Sequence, residues 1–300
     1  MLRWRLLLGT LLIAVLVGLC WIDHHAATPG IWLLPVVVFV VVLATKELLD
    51  LAALAQLRPL RWTIYVGNIL LATSSWLVIF MFSWFKGWSW TWGLPISSWE
   101  MATLSAFGVA VLLVFFGEMF RYRKPGGNIA NLACGIFALV YLGITLCFAV
   151  QLRLGWGIGA LATWVIVVKM GDTGAYTVGR LIGRHKMAPS ISPGKTIEGA
   201  FGALAFACLG AWLAFVFVVP FTTPLLWEPG PWWGWIAFGL LVGAAGILGD
   251  LAESLLKRDV GRKDSSDWLP GFGGVLDILD SLLLSAPVAW FCWASGMVGR

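Results

Sequence analysis

The sequence predicts an all-α fold: a polytopic transmembrane helical bundle of about nine spans with a cytoplasmic N-terminus. Three observations predict it. Of 300 residues 60% are hydrophobic and 12% charged, with a mean hydropathy of +0.90; the apolar residues collect into uncharged stretches; and Lys and Arg fall on one set of alternating loops. A soluble domain is about half apolar and a quarter charged, so the chain lies outside that range on both counts. About nine helices of roughly 20 residues would absorb nearly all the apolar residues and leave little for a domain outside the membrane. Soluble, disordered and nucleic-acid-binding proteins are excluded together, despite a net charge of +5.

In chain order the apolar stretches are Leu6–Ile22, Ala26–Thr45, Thr63–Phe85, Met101–Gly117, Ile129–Val150, Leu154–Val168, Gly199–Val219, Pro231–Gly249 and Ser281–Gly299. The first follows Arg3 and Arg5 as the core of a signal peptide does. No A-x-A-like site comes after it, and Leu19 precedes Cys20 where a lipoprotein site needs a small residue, so an uncleaved helix is expected. The second is interrupted by Pro35 and the sixth is short. Trp84, Trp88, Trp90, Trp92, Trp232, Trp233 and Trp235 cluster near the ends of stretches, at headgroup level. Residues 1–150 thus hold about five spans and residues 151–300 the remainder.

With the N-terminus inside, 17 of the 20 Lys and Arg residues fall on cytoplasmic loops, and only Lys86, Arg153 and Arg300 fall outside. Miscounting one helix would scramble this asymmetry, so the bias supports both the count and the orientation. The five cysteines lie within apolar runs without a CxxC pair, and His24 and His25 stand in a short loop, so neither redox nor zinc chemistry is expected.

Polar residues separate the two halves. Asn68 and Asn131 suit helix-to-helix hydrogen bonds. In the second half, Asp172, Asp250, Asp277 and Asp280 stand at the ends of three stretches, all at the cytoplasmic leaflet. Helix capping suits Asp277 and Asp280 at an N-terminus, whereas acids at C-terminal ends oppose the dipole and point instead to a water-filled cavity. Asp250, Ser254, Lys257 and Arg258 share one helical face, so acids and bases line one wall. Carboxylates that can hold a divalent cation beside bases that can hold phosphates suit phosphoryl or nucleotidyl transfer. Between the sixth and seventh stretches run Gly171-Asp172-Thr173-Gly174-Ala175-Tyr176 and Ser192-Pro193-Gly194-Lys195-Thr196-Ile197-Glu198-Gly199. Lys195 and Thr196 open a helix whose N-terminus favours an anion, although the same residues also suit a plain capping loop.

These segments resemble the phosphatidate cytidylyltransferases, or CDP-diacylglycerol synthases. Ser254-Leu-Leu-Lys257-Arg258, Lys263-Asp264 and Leu269-Pro270-Gly271-Phe272-Gly273-Gly274-Val275-Leu276-Asp277-Ile278-Leu279-Asp280-Ser281 match that family's signature in spacing, and the two earlier segments follow in the same order. Phe272 and Ile278 depart from it, standing where the family has His and Arg. The resemblance spans Gly171 to Ser281 and implies transfer of CMP from CTP to phosphatidic acid, with Mg²⁺ and room for a second cation. It implies Asp250, Asp277 and Asp280 as metal ligands, and Ser192, Lys195, Thr196, Lys257 and Lys263 for the triphosphate. Asp172 and Asp264 would shape the site and Arg258 would meet the lipid phosphate. It further implies a bacterial inner (plasma) membrane enzyme with a cytoplasmic-side site, with homo-oligomers left open and no nucleic-acid partner. A non-catalytic paralogue and a transporter are the rivals, the latter lacking the expected midplane helix breaks and internal repeat.

Overall fold

The computed structural model describes residues 2–84, 98–222, 228–266 and 273–299. Its order is α1 (Leu2–His24), α2 (Leu34–Leu54), α3 (Arg61–Trp84), α4 (Ser98–Arg121), α5 (Asn128–Ala138), a π-helical turn (Leu139–Ile144), α6 (Thr145–Ile182), β1 (Lys186–Ala188), β2 (Ser192–Thr196), α7 (Ile197–Leu213), a second π-helical turn (Ala214–Val218), α8 (Val219–Thr222), α9 (Trp232–Asp259) and α10 (Val275–Ala294). Among the described residues, five helical stretches are long and apolar enough to cross a membrane: Trp99–Arg121, Asn128–Ile182, Ile197–Thr222, Trp232–Asp259 and Val275–Ala294.

Three boundaries differ from the sequence expectation. Pro35 does not interrupt a helix that starts at Ala26; it sits in the first turn of α2, where its missing N–H is no loss. No loop separates the fifth and sixth stretches near Gln151, because the helix runs on and breaks at Gly157, whose φ of 84° only glycine adopts readily. The segment Gly171–Tyr176 is helical rather than a loop, and its Gly174 packs closely on Gly202 and Phe206 of α7. Asp172 and Asp250 are therefore interior to helices, since α9 continues to Asp259, and the C-terminal-end argument does not apply to them.

The chain divides into two compact units, Gly30–Gln151 and a second made of Met1–Pro29 with Leu152–Arg300. In the first, α3 packs against α2, α4 and the π-helical turn around Ile64, Leu71, Trp76, Ala110, Leu139 and Leu142, all buried. Asn68 Nδ2 donates to Thr45 Oγ1 at 2.9 Å, the helix-to-helix bond expected of it, whereas Asn131 Oδ1 accepts from Arg58 N at 2.8 Å and so ties its helix to the loop before α3.

In the second unit α9 packs between α7 and α10. Small residues permit this, as in membrane helices generally, where van der Waals fit replaces the hydrophobic effect. A Cβ on Gly239 would lie 2.6 Å from Cys208 Cα, and one on Gly249 would lie 2.5 Å from the Asp280 carbonyl oxygen. Helix α1 belongs to this unit rather than to the helices that follow it. Arg153 Nε, on α6, meets Asp23 Oδ2 at 2.6 Å, its guanidinium also reaches the Asp23 carbonyl at 2.9 Å, and both residues are buried. Arg153 is thus an internal charge and not a loop charge. Trp21 stacks on Phe221 at 6.2 Å and completes the tether.

The packing at Gly249 yields a first prediction. Gly249→Leu forces the α9 and α10 backbones apart and should destabilise by about 1–3 kcal/mol, seen as a lowered Tm of the purified protein. A Tm equal to that of the native chain would contradict the close approach.

Candidate active site

The polar segments of the second unit converge on α9. Thr196 caps α7, its Oγ1 accepting from Gly199 N at 3.1 Å, so the β1–β2 hairpin and α7 form one continuous element. The hairpin delivers Lys195 to α9, where its Nζ stands 2.7 Å from Asp250 Oδ2. Gly274 caps α10 and Asp277, at N3, accepts from Gly274 N at 2.8 Å. Lys257 Nζ donates to the other oxygen of Asp277 at 2.6 Å and also pairs with Glu253, one turn earlier on α9. On the α6 side, Lys169 Nζ donates to Asp172 Oδ2 at 2.9 Å and to Ser281 Oγ at 3.2 Å, and Ser281 Oγ lies 3.1 Å from the same Asp172 oxygen.

Two of these ion pairs join elements, Lys195–Asp250 linking β2 to α9 and Lys257–Asp277 linking α9 to α10, and the Asp172–Ser281 contact links α6 to α10. A cavity of roughly 370 Å³ opens between α6, the hairpin, α7 and α9. Its wall is largely apolar, from Val168, Ala203 and Ile247 among others, and its charged lining is Asp172, Arg180, Lys195 and Asp250. An apolar wall with a few convergent charges is the usual form of a small-molecule site.

The structure therefore gathers Asp172, Lys195, Thr196 and Asp250 at the cavity, and Lys257, Asp277 and Asp280 beside it. Asp280 is tied in by the Gly249 contact, and its Oδ1 accepts from Ser281 N at 2.5 Å. Ser192 is a strand residue paired with Ala188. Arg258 donates to the Ile191 and Arg262 carbonyls at 3.3 and 3.2 Å, bracing the hairpin. Lys263 and Asp264 are exposed in the loop after α9 and do not line the cavity. Phe272 lies outside the described residues. Ile278 contributes its carbonyl, 3.4 Å from Lys169 Nζ, so an apolar side chain there leaves that contact intact.

Two residues escape a reading of the sequence. Glu253, fully buried, was available as the i,i+4 partner of Lys257 inside an apolar run, a pairing that isolated charges in such runs require. Lys169 stands three residues before Asp172 and was visible only as one more cytoplasmic cation.

Among the described residues, no three His, Cys, Asp or Glu side chains stand close enough to form a metal-holding group. The donors nonetheless suit Mg²⁺, a hard cation that takes one or two carboxylates and completes its shell with substrate phosphates and water. Asp250 follows Gly249, the point at which α9 comes closest to the Asp280 backbone of α10, whereas both oxygens of Asp277 are engaged, Oδ2 also accepting from Ser265 N and Oγ at 2.9 and 2.7 Å.

Paired acids and lysines around a largely apolar cavity in a helical, strongly apolar protein are suited to binding phosphorylated substrates. The chain belongs to the cytidylyltransferase family, whose model matches residues 3–295. It is 30% identical over 300 residues to the phosphatidate cytidylyltransferase of Mycobacterium bovis, covering 95% of this chain and 88% of that one. It is also 39% identical over 155 residues to that of Staphylococcus aureus, covering 51% and 55%, and 44% identical over 122 residues to that of Haemophilus influenzae, covering 41% of each.

Lys257 offers a test of the site's construction. Lys257→Met leaves Glu253 buried without its cation and should cost about 3–5 kcal/mol, whereas Lys257→Met with Glu253→Leu should recover most of that loss in thermal unfolding. A double variant no more stable than the single one would remove the pair as the cause.

Proposed function

We propose that the chain transfers CMP from CTP to phosphatidic acid, giving CDP-diacylglycerol and pyrophosphate, at the cavity of the second unit. The observation that carries this reading is the set of lysine–carboxylate pairs at and beside one cavity, within a chain matched over almost its whole length by the cytidylyltransferase family. In the reaction a phosphate oxygen of the lipid attacks the α-phosphorus of CTP, and the bond from that phosphorus to the bridging oxygen breaks, releasing pyrophosphate. A phosphate monoester has its second pKa near 6, so the nucleophile is largely dianionic at neutral pH and needs no strong protein base. The protein's task is positioning and charge neutralisation.

Lys195 and Lys257 pass from their carboxylates to phosphate oxygens as nucleotide enters, which leaves Asp250 and Asp277 as open oxygen donors. Mg²⁺ held by one or two of the carboxylates of Asp250, Asp277 and Asp280 would supply charge neutralisation on the triphosphate. Thr196, Ser192 and Lys263 serve the nucleotide from the hairpin and the loop after α9, Asp172 and Asp264 shape the approach, and Arg258 faces the lipid phosphate. The site faces the cytoplasm of a bacterium from its inner membrane, in a bundle of nine spans, which lets soluble CTP meet a membrane-held phosphate.

Pyrophosphate release from CTP that depends on phosphatidic acid tests the activity. Asp250→Asn should lower turnover at least about 100-fold in a folded protein, since a neutral amide cannot hold Mg²⁺ against the triphosphate. Absence of turnover in the native protein would favour the non-catalytic paralogue. Topology has its own test: with the native cysteines removed, a cysteine at Ser190 should react with an impermeant thiol reagent only from the cytoplasmic side and one at Glu228 only from the opposite side. Labelling of both from one side would make the span count between them wrong.

A further inference from the structure

The charged groups lining the cavity are two acids and two bases, but not all of them are held in ion pairs. Lys195 is matched by Asp250 and Asp172 by Lys169, at 2.7 and 2.9 Å. Arg180 is different: among the described residues it is the charged lining group bonded to no carboxylate. Its partner is neutral, since Arg180 Nη1 donates to Tyr176 Oη at 2.5 Å and the guanidinium carbon lies 5.8 Å from the centre of the Tyr176 ring. Asp172, Tyr176 and Arg180 follow at i, i+4 and i+8 on α6, so one helical face carries all three to the cavity over about 12 Å of rise.

A surface arginine held only by solvent would sample many rotamers. Here the phenol oxygen and ring hold one edge of the guanidinium and leave its remaining donors for another acceptor. A planar fork that is already ordered loses less entropy on binding, and its geometry matches two oxygens of a phosphate. Neither residue is accounted for by the metal site or by the lysine pairs. Resting on the reading that this cavity takes the substrates, we infer that Arg180, oriented by Tyr176, is a phosphate-binding residue of the site. Tyr176 is a positioning residue that acts through Arg180. The group bound is a phosphate of the nucleotide or of the lipid, and the two sources separate by experiment.

Arg180→Ala, Arg180→Lys and Tyr176→Phe are compared with the native protein in one detergent, each confirmed folded by its Tm. The KM for CTP and the KM for phosphatidic acid are measured separately. Binding of two probes, inorganic pyrophosphate and a soluble short-chain phosphatidate, is measured by calorimetry without turnover. Arg180→Ala should raise one of the two KM values about tenfold or more, as loss of a charge-assisted hydrogen bond does, with a smaller fall in kcat. Tyr176→Phe should raise the same KM by a lesser factor, and Arg180→Lys should restore part of the loss. A raised KM for CTP assigns the nucleotide, and a raised KM for phosphatidic acid assigns the lipid. A merely structural role would lower Tm without selecting one substrate, and both KM values within twofold of native would overturn the inference. Should the native protein show no turnover, the transfer reading fails by itself. The probes then decide: weaker binding of either by Arg180→Ala supports the inference, while unchanged binding of both, or none by the native protein, overturns it.

Discussion

Most charged side chains gathered in the second unit are held in close ion pairs, and the packing of its helices is built around those pairs. Solvation lost on entering a low-dielectric region is recovered only through a close partner of opposite sign. Asp250 finds Lys195, Asp277 and Glu253 share Lys257, and Asp172 finds Lys169. The first two of these lysines bridge elements as well as charges. On the reading proposed above, the same cations serve folding in the absence of substrate and phosphate binding in its presence. An incoming polyanion then exchanges one set of partners for another instead of meeting bare charges.

Such pairing needs backbones close enough for short side chains to meet, and glycine supplies that. Gly239 brings α9 against α7 and Gly249 brings it against α10, at separations no larger residue permits. A soluble helix with this glycine content would be a poor one, because each glycine costs roughly 1 kcal/mol relative to alanine. Lipid removes the competition from water for the backbone, and the helix persists because interhelical packing repays the lost propensity.

This trade explains what could be read from the sequence and what could not. The apolar stretches and the acids were legible because hydropathy and the rarity of charge in apolar runs are strong local signals. Gly171–Tyr176 falls outside the sixth apolar stretch because hydropathy ends at Val168, although α6 itself runs on to Ile182. The β1–β2 hairpin was illegible for another reason: strands of three and five residues carry no periodic pattern, and Pro193-Gly194 within β2 disguises it further. Glu253 was overlooked because its partner Lys257 had been assigned to phosphate alone. The expectation that Asp277 and Asp280 could cap a helix holds for Asp277, which caps α10 while also holding Lys257.

The tether between Asp23 and Arg153 bears on how the chain is assembled. These residues are 130 positions apart, so at ordinary rates of synthesis Asp23 emerges on the order of ten seconds before its partner exists. Until then α1 lacks its buried ion pair with α6, and many of its apolar side chains, among them Leu11, Ile13, Val15 and Val17, remain exposed even in the finished fold. Helix α1 is thus fastened in part by residues made well after it. The order of synthesis and the order of closure differ in this protein, and the arrival of Arg153 is the event that joins them.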